Sequence, residues 1–354
     1  MGRFSCPTNI MTGDARTLLG QLGAKKLLIV ADPYFQDGLA QKLGKASGAQ
    51  VEYFFEVEPD PTVALAAKGS ALVKSFQPDT VVALGGGSAM DLAKSMIWFS
   101  GSEAELTAIP TTSGSGSEVT DFAILTHKGV KHPMVDRRLR PKNAIVDAKL
   151  VEKLPRGLIA DGGFDALTHA LEAYTATGAD VFSDALAGAA FSQVLSCLRP
   201  SFEGNPAARS LVHSCATMAG LAFTQAGLGL CHAMAHGLGG ILHLPHGRLN
   251  AILLPAVMEV NASVCGSRYA ALARRAGLEG RSDTIAIRNL RNALLRLRRE
   301  LKLPGTLAEA GARLPADREM LVKAVLADPC CKTNPMPVTE EAVRQVLHQV
   351  EGHG

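Results

Sequence analysis

The sequence has little net charge and no long apolar run, and both absences exclude classes of protein. With 36 basic and 33 acidic residues among 354, the formal net charge is only +3, which argues against a dedicated nucleic-acid-binding protein. No uninterrupted apolar run reaches the ~18 residues that suggest a membrane helix. The first residues, MGRFSCPTNIMTG, lack the continuous apolar core of a secretory signal. We therefore expect neither a nucleic-acid nor a membrane partner.

A cysteine framework is also missing. The seven cysteines are odd in number and form no CxxC pair, which predicts reduced thiols and a cytoplasmic setting rather than disulfide crosslinks. The hydrophobic content of 47% is too high for a disordered chain and is sufficient for a large buried core. The length indicates two domains or one large one.

The two halves of the chain differ in their predicted secondary structure. Short β-rich runs alternate with helical stretches in the first half, which predicts an α/β domain with a parallel sheet. Compact apolar runs predict buried strands, and weaker runs give further candidates. These segments are Lys26–Ala31, residues 80–84, residues 51–57, residues 107–109 and residues 143–147. The boundary of this domain is expected near residues 148–155.

The second half is predicted to be all helical, because strand-like runs almost vanish there. Its Ala- and Leu-rich segments are residues 161–176, 182–198, 207–225 and 231–242. A further amphipathic segment, residues 285–303, has an arginine-rich face. That face is either a surface for an acidic partner or a solvated helix face, and we favour the solvated face.

Two loops rich in Gly, Ser and Thr each follow a predicted strand. Residues 85–88 read GGGS, where backbone N–H groups can approach a phosphate and the next helix adds partial positive charge. Residues 110–121 read PTTSGSGSEVTD, whose hydroxyls can donate to phosphate or ribose oxygens. Each loop alone could be an ordinary turn, but together they favour a phosphate site. The GxGxxG fingerprint is absent, so an ordinary Rossmann half fits poorly.

Asp32 ends the first buried strand. A carboxylate there can accept hydrogen bonds from a ribose diol and would repel a 2′-phosphate, which favours NAD over NADP. The alternative is an aspartate that caps the next turn. Spacing does not decide between the two.

Acidic and imidazole side chains recur at helical spacing in the second half. Asp165 and His169 lie at i and i+4 in DGGFDALTHALEAY, where both can reach one cation from the same helix face. Glu172 is a third acidic candidate. A pair of this kind is more often hydrogen-bonded than metal-bound, so this segment does not establish a metal site.

Four imidazoles within fifteen residues strengthen the metal hypothesis. The apolar segment GLGLCHAMAHGLGGILHLPHG carries His232, His236, His243 and His246. Buried imidazoles need partners, so a core helix does not normally carry so many. The absence of HExxH excludes the usual zinc-protease interpretation, and three imidazoles with one carboxylate suit Fe²⁺ or Zn²⁺. Spacing leaves open which His bind, with His232 and His236 as the simple helical pair.

Together these segments resemble one known family over nearly the whole chain. GGGSAMD, PTTSGSGSEVT, DGGFDALTHALEAY and GLCHAMAHGLGGILHLPHG occur in the order seen in iron-containing (group III) alcohol dehydrogenases. FTQAGLGL and HLPHG are most similar to propanol dehydrogenases associated with bacterial microcompartments. The resemblance implies a dinucleotide-binding α/β domain over residues 1–152 and a helical metal and substrate domain over residues 153–354.

The resemblance also implies the chemistry and the site residues. The reaction is hydride transfer between NAD(H) and a small aliphatic alcohol or aldehyde, such as propanol or propanal and ethanol or acetaldehyde. The implied metal ligands are Asp165, His169, His232 and His246, while His236 lies near the nicotinamide and takes a role in proton transfer. The implied cofactor contacts are Gly86, Gly87, Ser88, Thr111, Thr112, Ser117, Val119, Lys131 and Leu150, with Asp32 at the position linked to NAD preference.

The same resemblance implies an oligomeric state and a location, and it suggests two alternative functions. A homodimer or higher homo-oligomer is expected, in the cytoplasm or inside a microcompartment with shell or partner enzymes. The family often has an NPR motif where this chain reads Asn334-Pro335-Met336.

A lyase of the dehydroquinate synthase type would also use NAD and a divalent metal but needs a basic pocket, and Arg248 is the one cation near the His-rich segment. A non-catalytic family member is the other rival, against which the intact Asp/His set argues.

Overall fold

The computed structural model describes residues 4–128 and 130–352. The chain divides into two compact units, one comprising Ser5–Lys153 and the other the described residues from Leu154 onward together with Phe4. The first unit mixes strands and helices, whereas the second is helical. This arrangement confirms the predicted fold class.

The α/β unit is built on a six-stranded parallel sheet with the spatial order β1-β8-β5-β4-β2-β3. β6 and β7 form a separate antiparallel pair. The strands are β1 (Asn9–Thr12), β2 (Lys26–Ala31), β3 (Gln50–Phe54), β4 (Thr80–Gly85), β5 (Glu105–Pro110), β6 (Phe122–His127), β7 (Val130–Val135) and β8 (Asn143–Val146).

Helices cover both faces of this sheet. They are α1 (Ala15–Gln21), α2 (Leu39–Ser47), α3 (Val63–Phe76) and α4 (Gly87–Ser100). Leu27 and Ile29 of β2 pack in the cluster that includes α1 and α2, while Leu28 and Val30 pack in the cluster that includes α3 and α4. Because both faces of β2 are buried, the strand reads as a continuous apolar run, which is why its sequence predicts it so directly.

Three strands, β1, β6 and β7, were not predicted from the sequence. The described side chains of β1 and β7 are exposed or half-buried, whereas β6 buries Ala123 and Leu125. β1 is at the edge of the sheet, and its four residues are exposed or half-buried. β7 contains Pro133 and belongs to the two-stranded sheet. A proline and a polar edge both weaken the alternation that identifies a strand in sequence.

The second unit consists of packed helices around one large apolar core. The helices are α5 (Arg156–Thr175), α6 (Val181–Phe202), α7 (Pro206–Ala226), α8 (Leu230–Leu242), α9 (His246–Arg275), α10 (Asp283–Glu300), α11 (Glu319–Ala327) and α12 (Glu340–Glu351). All seven cysteines of the chain are free thiols, as predicted.

The expectation about apolar length needs a correction. By length and composition alone, α6 and α9 are long and apolar enough to cross a membrane, although neither contains an uninterrupted apolar run of ~18 residues. Within the unit, 67% of the apolar window of α9 is buried, and residues of both helices belong to the apolar core. Core packing therefore accounts for the composition of α9.

Candidate metal and cofactor sites

Imidazole rings from three helices of the second unit surround one carboxylate oxygen. Asp165 lies on α5, and its Oδ1 is 3.6 Å from His232 Nε2 on α8 and 3.7 Å from His246 Nε2 at the start of α9. One donor atom from each of these three residues lies within 4.8 Å of the other two. Asp165 and His232 are buried, and His246 is half-buried. Residues distant in sequence thus form one compact donor group.

His169 adjoins this group from the same helix as Asp165. Its Nδ1 is 3.8 Å from Asp165 Oδ1. Its ring stacks on His232, with 4.3 Å between the ring centroids, and on Phe223, with 4.4 Å between the centroids. The structure therefore places all four predicted ligands in one neighbourhood, three of them as the compact group.

The spacing of these donors suits a shared metal ion. The oxygen–nitrogen separations of 3.6 to 3.8 Å exceed normal hydrogen-bond distances. Two ligand atoms on a tetrahedral ion with bonds of about 2.1 Å lie about 3.4 Å apart, close to the separations seen here. Carboxylate and imidazole donors in this ratio fit Fe²⁺ or Zn²⁺. The residues present therefore fit a divalent metal.

The carboxylates and rings shift each other's ionisation. Burial favours the neutral acid, but the adjacent imidazoles hold the pKa of Asp165 well below its ordinary range. Burial also disfavours charge on His232, but Asp165 and Glu172 raise the pKa of this ring to about 9. A proton and a metal ion therefore compete for His232.

Glu172 is not positioned as a ligand, which corrects its treatment as a third acidic candidate. Its carboxylate lies 2.6 Å from His232 Nδ1 and accepts hydrogen bonds from the backbone N–H groups of Gly229 and Cys231. It therefore meets the start of α8, where negative charge is favourable. The contact at Nδ1 orients the ring so that Nε2 faces Asp165, an arrangement typical of metal-bound histidines.

Asn250 and Gly247, which sequence reasoning missed, shape the other side of the group. Asn250 lies one turn after His246 on α9, and its Nδ2 donates to Asp165 Oδ1 at 2.8 Å. A Cβ on Gly247 would lie 1.9 Å from the Asp161 carbonyl oxygen, so only glycine lets α9 approach α5 this closely. The i+4 spacing of His246 and Asn250 is the signal that could have identified the asparagine.

The two other histidines of the His-rich segment point elsewhere. His236 Nδ1 lies 2.9 Å from Asp328 Oδ2, and its ring stacks on His246 with 5.2 Å between centroids. His243 is exposed and ends α8 in a left-handed conformation. Helical spacing alone allowed His236 as a partner of His232, but the structure directs its Nδ1 to a different carboxylate.

In the α/β unit, the two Gly/Ser/Thr loops lie side by side. They follow the neighbouring parallel strands β4 and β5, and Thr111 N–H donates to the Gly85 carbonyl at 2.9 Å. A Cβ on Gly86 would lie 3.2 Å from Thr112, and one on Gly87 would lie 3.5 Å from Ser115. Loops at the carboxyl ends of adjacent parallel strands are the usual place for a nucleotide in such sheets.

Gly85 and Lys94 hold these loops in place. Gly85 has φ +157°, and a Cβ there would lie 2.6 Å from Ala89 Cβ, so the turn into α4 requires glycine. Lys94 is almost fully buried, and its ammonium group donates to the Thr120 carbonyl and hydroxyl and to the Phe122 carbonyl. The lysine, which sequence analysis did not single out, ties α4 to the end of the second loop.

The remaining cofactor candidates occupy varied positions. Asp32 follows β2 and accepts a hydrogen bond from Tyr34 N–H, so it does cap the next turn, and it also lies beside Gly85. Lys131 on β7 pairs with Asp60 at 2.6 Å. Ser88 is half-buried on α4. Ser117 and Val119 are buried on the short 3₁₀ helix Ser117–Val119. Leu150 lies on the 3₁₀ helix Ala148–Val151 and packs near α1 and α2.

Two family models together account for most of the chain. Residues 7–148 match the model for iron-containing alcohol dehydrogenase, and residues 159–350 match the C-terminal model of the Fe-containing alcohol dehydrogenase family. The chain belongs to the iron-containing alcohol dehydrogenase family.

Similar proteins of this family cover nearly the full chain. The 1-propanol dehydrogenase PduQ of Salmonella typhimurium is 39% identical over 99% of this chain and 100% of its own length. The NADPH-dependent butanol dehydrogenase of Clostridium saccharobutylicum is 34% identical over 99% of this chain and 98% of its own. The solved structure of a 1,3-propanediol oxidoreductase superposes with a TM-score of 0.93 at 32% identity, covering 99% of this chain and 100% of that one.

Family membership establishes an oxidoreductase that uses NAD(H) and a divalent metal, and it disfavours the lyase alternative. Arg248, the cation considered for that alternative, is held by Asp161 through two hydrogen bonds of 3.0 and 3.2 Å. The altered NPR motif keeps a structural role, because Asn334 Oδ1 accepts the Leu230 N–H at the start of α8. This asparagine helps position the helix that carries His232.

Proposed function

We propose that this alcohol dehydrogenase transfers hydride between NAD(H) and a small aliphatic alcohol or aldehyde, with propanol and propanal or ethanol and acetaldehyde as substrates. The observation that carries the proposal is the convergence of imidazole nitrogens on Asp165 Oδ1 at 3.6 to 3.8 Å. The names of the similar proteins support the substrate class, since 1-propanol, butanol and 1,3-propanediol are all short aliphatic alcohols.

The metal is proposed to be held by Asp165, His169, His232 and His246, with Fe²⁺ as the preferred ion and Zn²⁺ as the alternative. When bound, such an ion would act as a Lewis acid that lowers the pKa of an alcohol hydroxyl or polarises an aldehyde carbonyl. Surrounding residues orient the ligands beforehand, with Glu172 at His232 Nδ1 and Asn250 at Asp165 Oδ1.

His236 is proposed to handle the substrate proton. Burial raises the pKa of Asp328, but its hydrogen bond with His236 outweighs this and keeps the pKa below the ordinary value. An ionised Asp328 accepts a hydrogen bond from His236 Nδ1–H, and this tautomer leaves Nε2 without a hydrogen and able to accept the hydroxyl proton. A His236→Ala variant that keeps full activity across the pH range would remove this role.

The cofactor is proposed to bind at the paired loops. Gly86, Gly87 and Ser88 would hold the pyrophosphate together with Thr111 and Thr112, while Ser117 and Val119 would line the nicotinamide side. Lys131 and Leu150 are weaker candidates, because the contacts of Lys131 with Asp60 and of Leu150 with the sheet face serve the fold as well. Asp32 is proposed to favour NAD, so Asp32→Ser should shift the ratio of kcat/KM values toward NADP.

The decisive assay compares NADH oxidation with aldehydes of two to six carbons after loading with Fe²⁺ or Zn²⁺. We expect turnover with the shorter aldehydes and a dependence on the added metal. Turnover with none of them would favour the lyase alternative, whereas tight metal and NAD binding without turnover would favour a non-catalytic role.

A homodimer or larger homo-oligomer in the cytoplasm is proposed from the family resemblance, as is packing inside a bacterial microcompartment. Light scattering of the purified protein tests the oligomeric state. Cosedimentation with purified microcompartment shells tests the packing, and a protein that stays in the supernatant would contradict it.

A further inference from the structure

A second set of metal-binding donors lies beside the first and differs from it by containing sulfur. His236, Asp328 and Cys330 each present one donor, and these nitrogen, oxygen and sulfur atoms lie within 4.8 Å of one another. All three residues are half-buried, so the group is sheltered from solvent but reachable. None of the three belongs to the proposed ligand set of the first site.

The structure holds this cluster in a defined arrangement. Asp328 follows α11 and caps the short 3₁₀ helix Pro329–Thr333 by accepting the Cys330 N–H at 2.8 Å. The same carboxylate meets His236 Nδ1 on α8 at 2.9 Å. Asp328 is therefore fixed from two sides, and the tight turn that follows brings the Cys330 thiol to the same point.

We propose that His236, Asp328 and Cys330 form a second divalent-metal site that binds thiophilic ions such as Zn²⁺ and Co²⁺, with water completing the coordination shell. One imidazole, one carboxylate and one thiolate are all ordinary zinc ligands. Thiolate also selects softer ions than the nitrogen and oxygen donors of the first site do. Binding releases the thiol proton to solvent, whereas the proton on His236 Nδ1 is exchanged through solvent to Nε2, so that a neutral imidazole binds the metal, which keeps its oxidation state.

An ion in this site would change the chemistry of the first one. It would bind His236 through Nδ1, the atom that otherwise contacts Asp328. The ring that is proposed to carry the substrate proton would then be fixed to a cation. Excess Zn²⁺ should therefore inhibit the enzyme after the first equivalent has activated it. This inhibition rests on the proposed function, whereas metal binding at the second site does not.

Cobalt titration separates the two sites, because the first site contains no sulfur ligand. We expect the metal-free protein to bind two Co²⁺ per chain, with a near-ultraviolet sulfur-to-cobalt charge-transfer band that marks the second site. Cys330→Ser should abolish the band and reduce binding to one ion per chain. Cys331→Ser is the matched control, since its thiol donates to the Val325 carbonyl, and it should keep the band.

A second variant distinguishes failure of this proposal from failure of the proposed function. His246→Ala disables the first site but should keep the charge-transfer band and one bound Co²⁺, regardless of any dehydrogenase activity. Far-ultraviolet circular dichroism and the remaining metal content check that each variant is folded. If wild-type protein shows no such band at excess Co²⁺, or if folded Cys330→Ser retains it, the second site is refuted.

Discussion

The metal group and the cofactor loops are built in opposite ways. The metal group consists of side chains from α5, α8 and α9, brought together from positions far apart in sequence. The loops consist largely of backbone, and their glycines leave space where side chains would meet Thr112 and Ser115. One site depends on side chains that are present, and the other depends on side chains that are absent. Substitutions should therefore damage the two sites differently, and the following experiments test that difference.

The largest effect is expected from removing a ligand at the metal group. After loading with one equivalent of Fe²⁺, His246→Ala should lose the metal held at this group and reduce kcat to background, because the remaining donors no longer surround the ion. Metal content by mass spectrometry and NADH oxidation measure both losses. His243→Ala is the control, since that ring is exposed and lies at the end of the same His-rich segment. Equal metal retention in the two variants would contradict the ligand assignment.

A residue that only supports the group should have a smaller effect. Glu172→Gln keeps the shape of the side chain but removes the charge at His232 Nδ1, and we expect metal affinity to fall by roughly 10- to 100-fold. Competition with a chelator measures the change. Glu152→Gln, at the C-cap of the short 3₁₀ helix Ala148–Val151 and outside the helical unit, is a matched control for loss of one carboxylate. An unchanged affinity in Glu172→Gln would show that the contact does not orient the ring for metal binding.

The cofactor loops should respond to an added methyl group instead. A Cβ on Gly87 would lie 3.5 Å from Ser115, an ordinary contact that leaves the fold intact. It would nevertheless occupy space next to a bound phosphate, so we expect Gly87→Ala to weaken NADH binding by roughly tenfold, or about 1.4 kcal/mol. Calorimetric titration with NADH measures the loss, and metal content should stay at the wild-type level. A variant that binds NADH normally would argue against a phosphate at this loop.

The pH dependence of metal binding at the metal group should be the smallest of these effects. The pKa of His232 is raised from 6.5 to about 9, so the metal-free protein gains stability from this proton below pH 6.5 and loses it as pH rises toward 9. Metal binding displaces that proton, and affinity should rise by up to about tenfold per pH unit over the same range. The difference in Tm between metal-loaded and metal-free protein should therefore grow with pH. A difference that stays constant over this range would contradict the shifted pKa.

Much of the α/β unit was predictable because its signals are local. The run Lys26–Ala31 forms β2 with the predicted bounds, and GGGS forms the turn from the last residue of β4 into the start of α4. Each of these features depends on neighbouring residues, such as the burial of both faces of a strand or the freedom of a glycine. β1 was not predicted because its position at the sheet edge, and its partner β8, depend on residues far along the chain.

By itself, the sequence determined the pairing of Asp165 with His169 on one helix face and the crowding of imidazoles around α8. Helical periodicity decides which side chains share a face, and this periodicity is visible in the residues alone. Only the tertiary structure decided what each face meets. It placed Glu172 behind His232, turned His236 toward Asp328, and brought Asn250 to Asp165. The physical reason is that spacing fixes direction within a helix, whereas the partner of a side chain depends on how the helices pack.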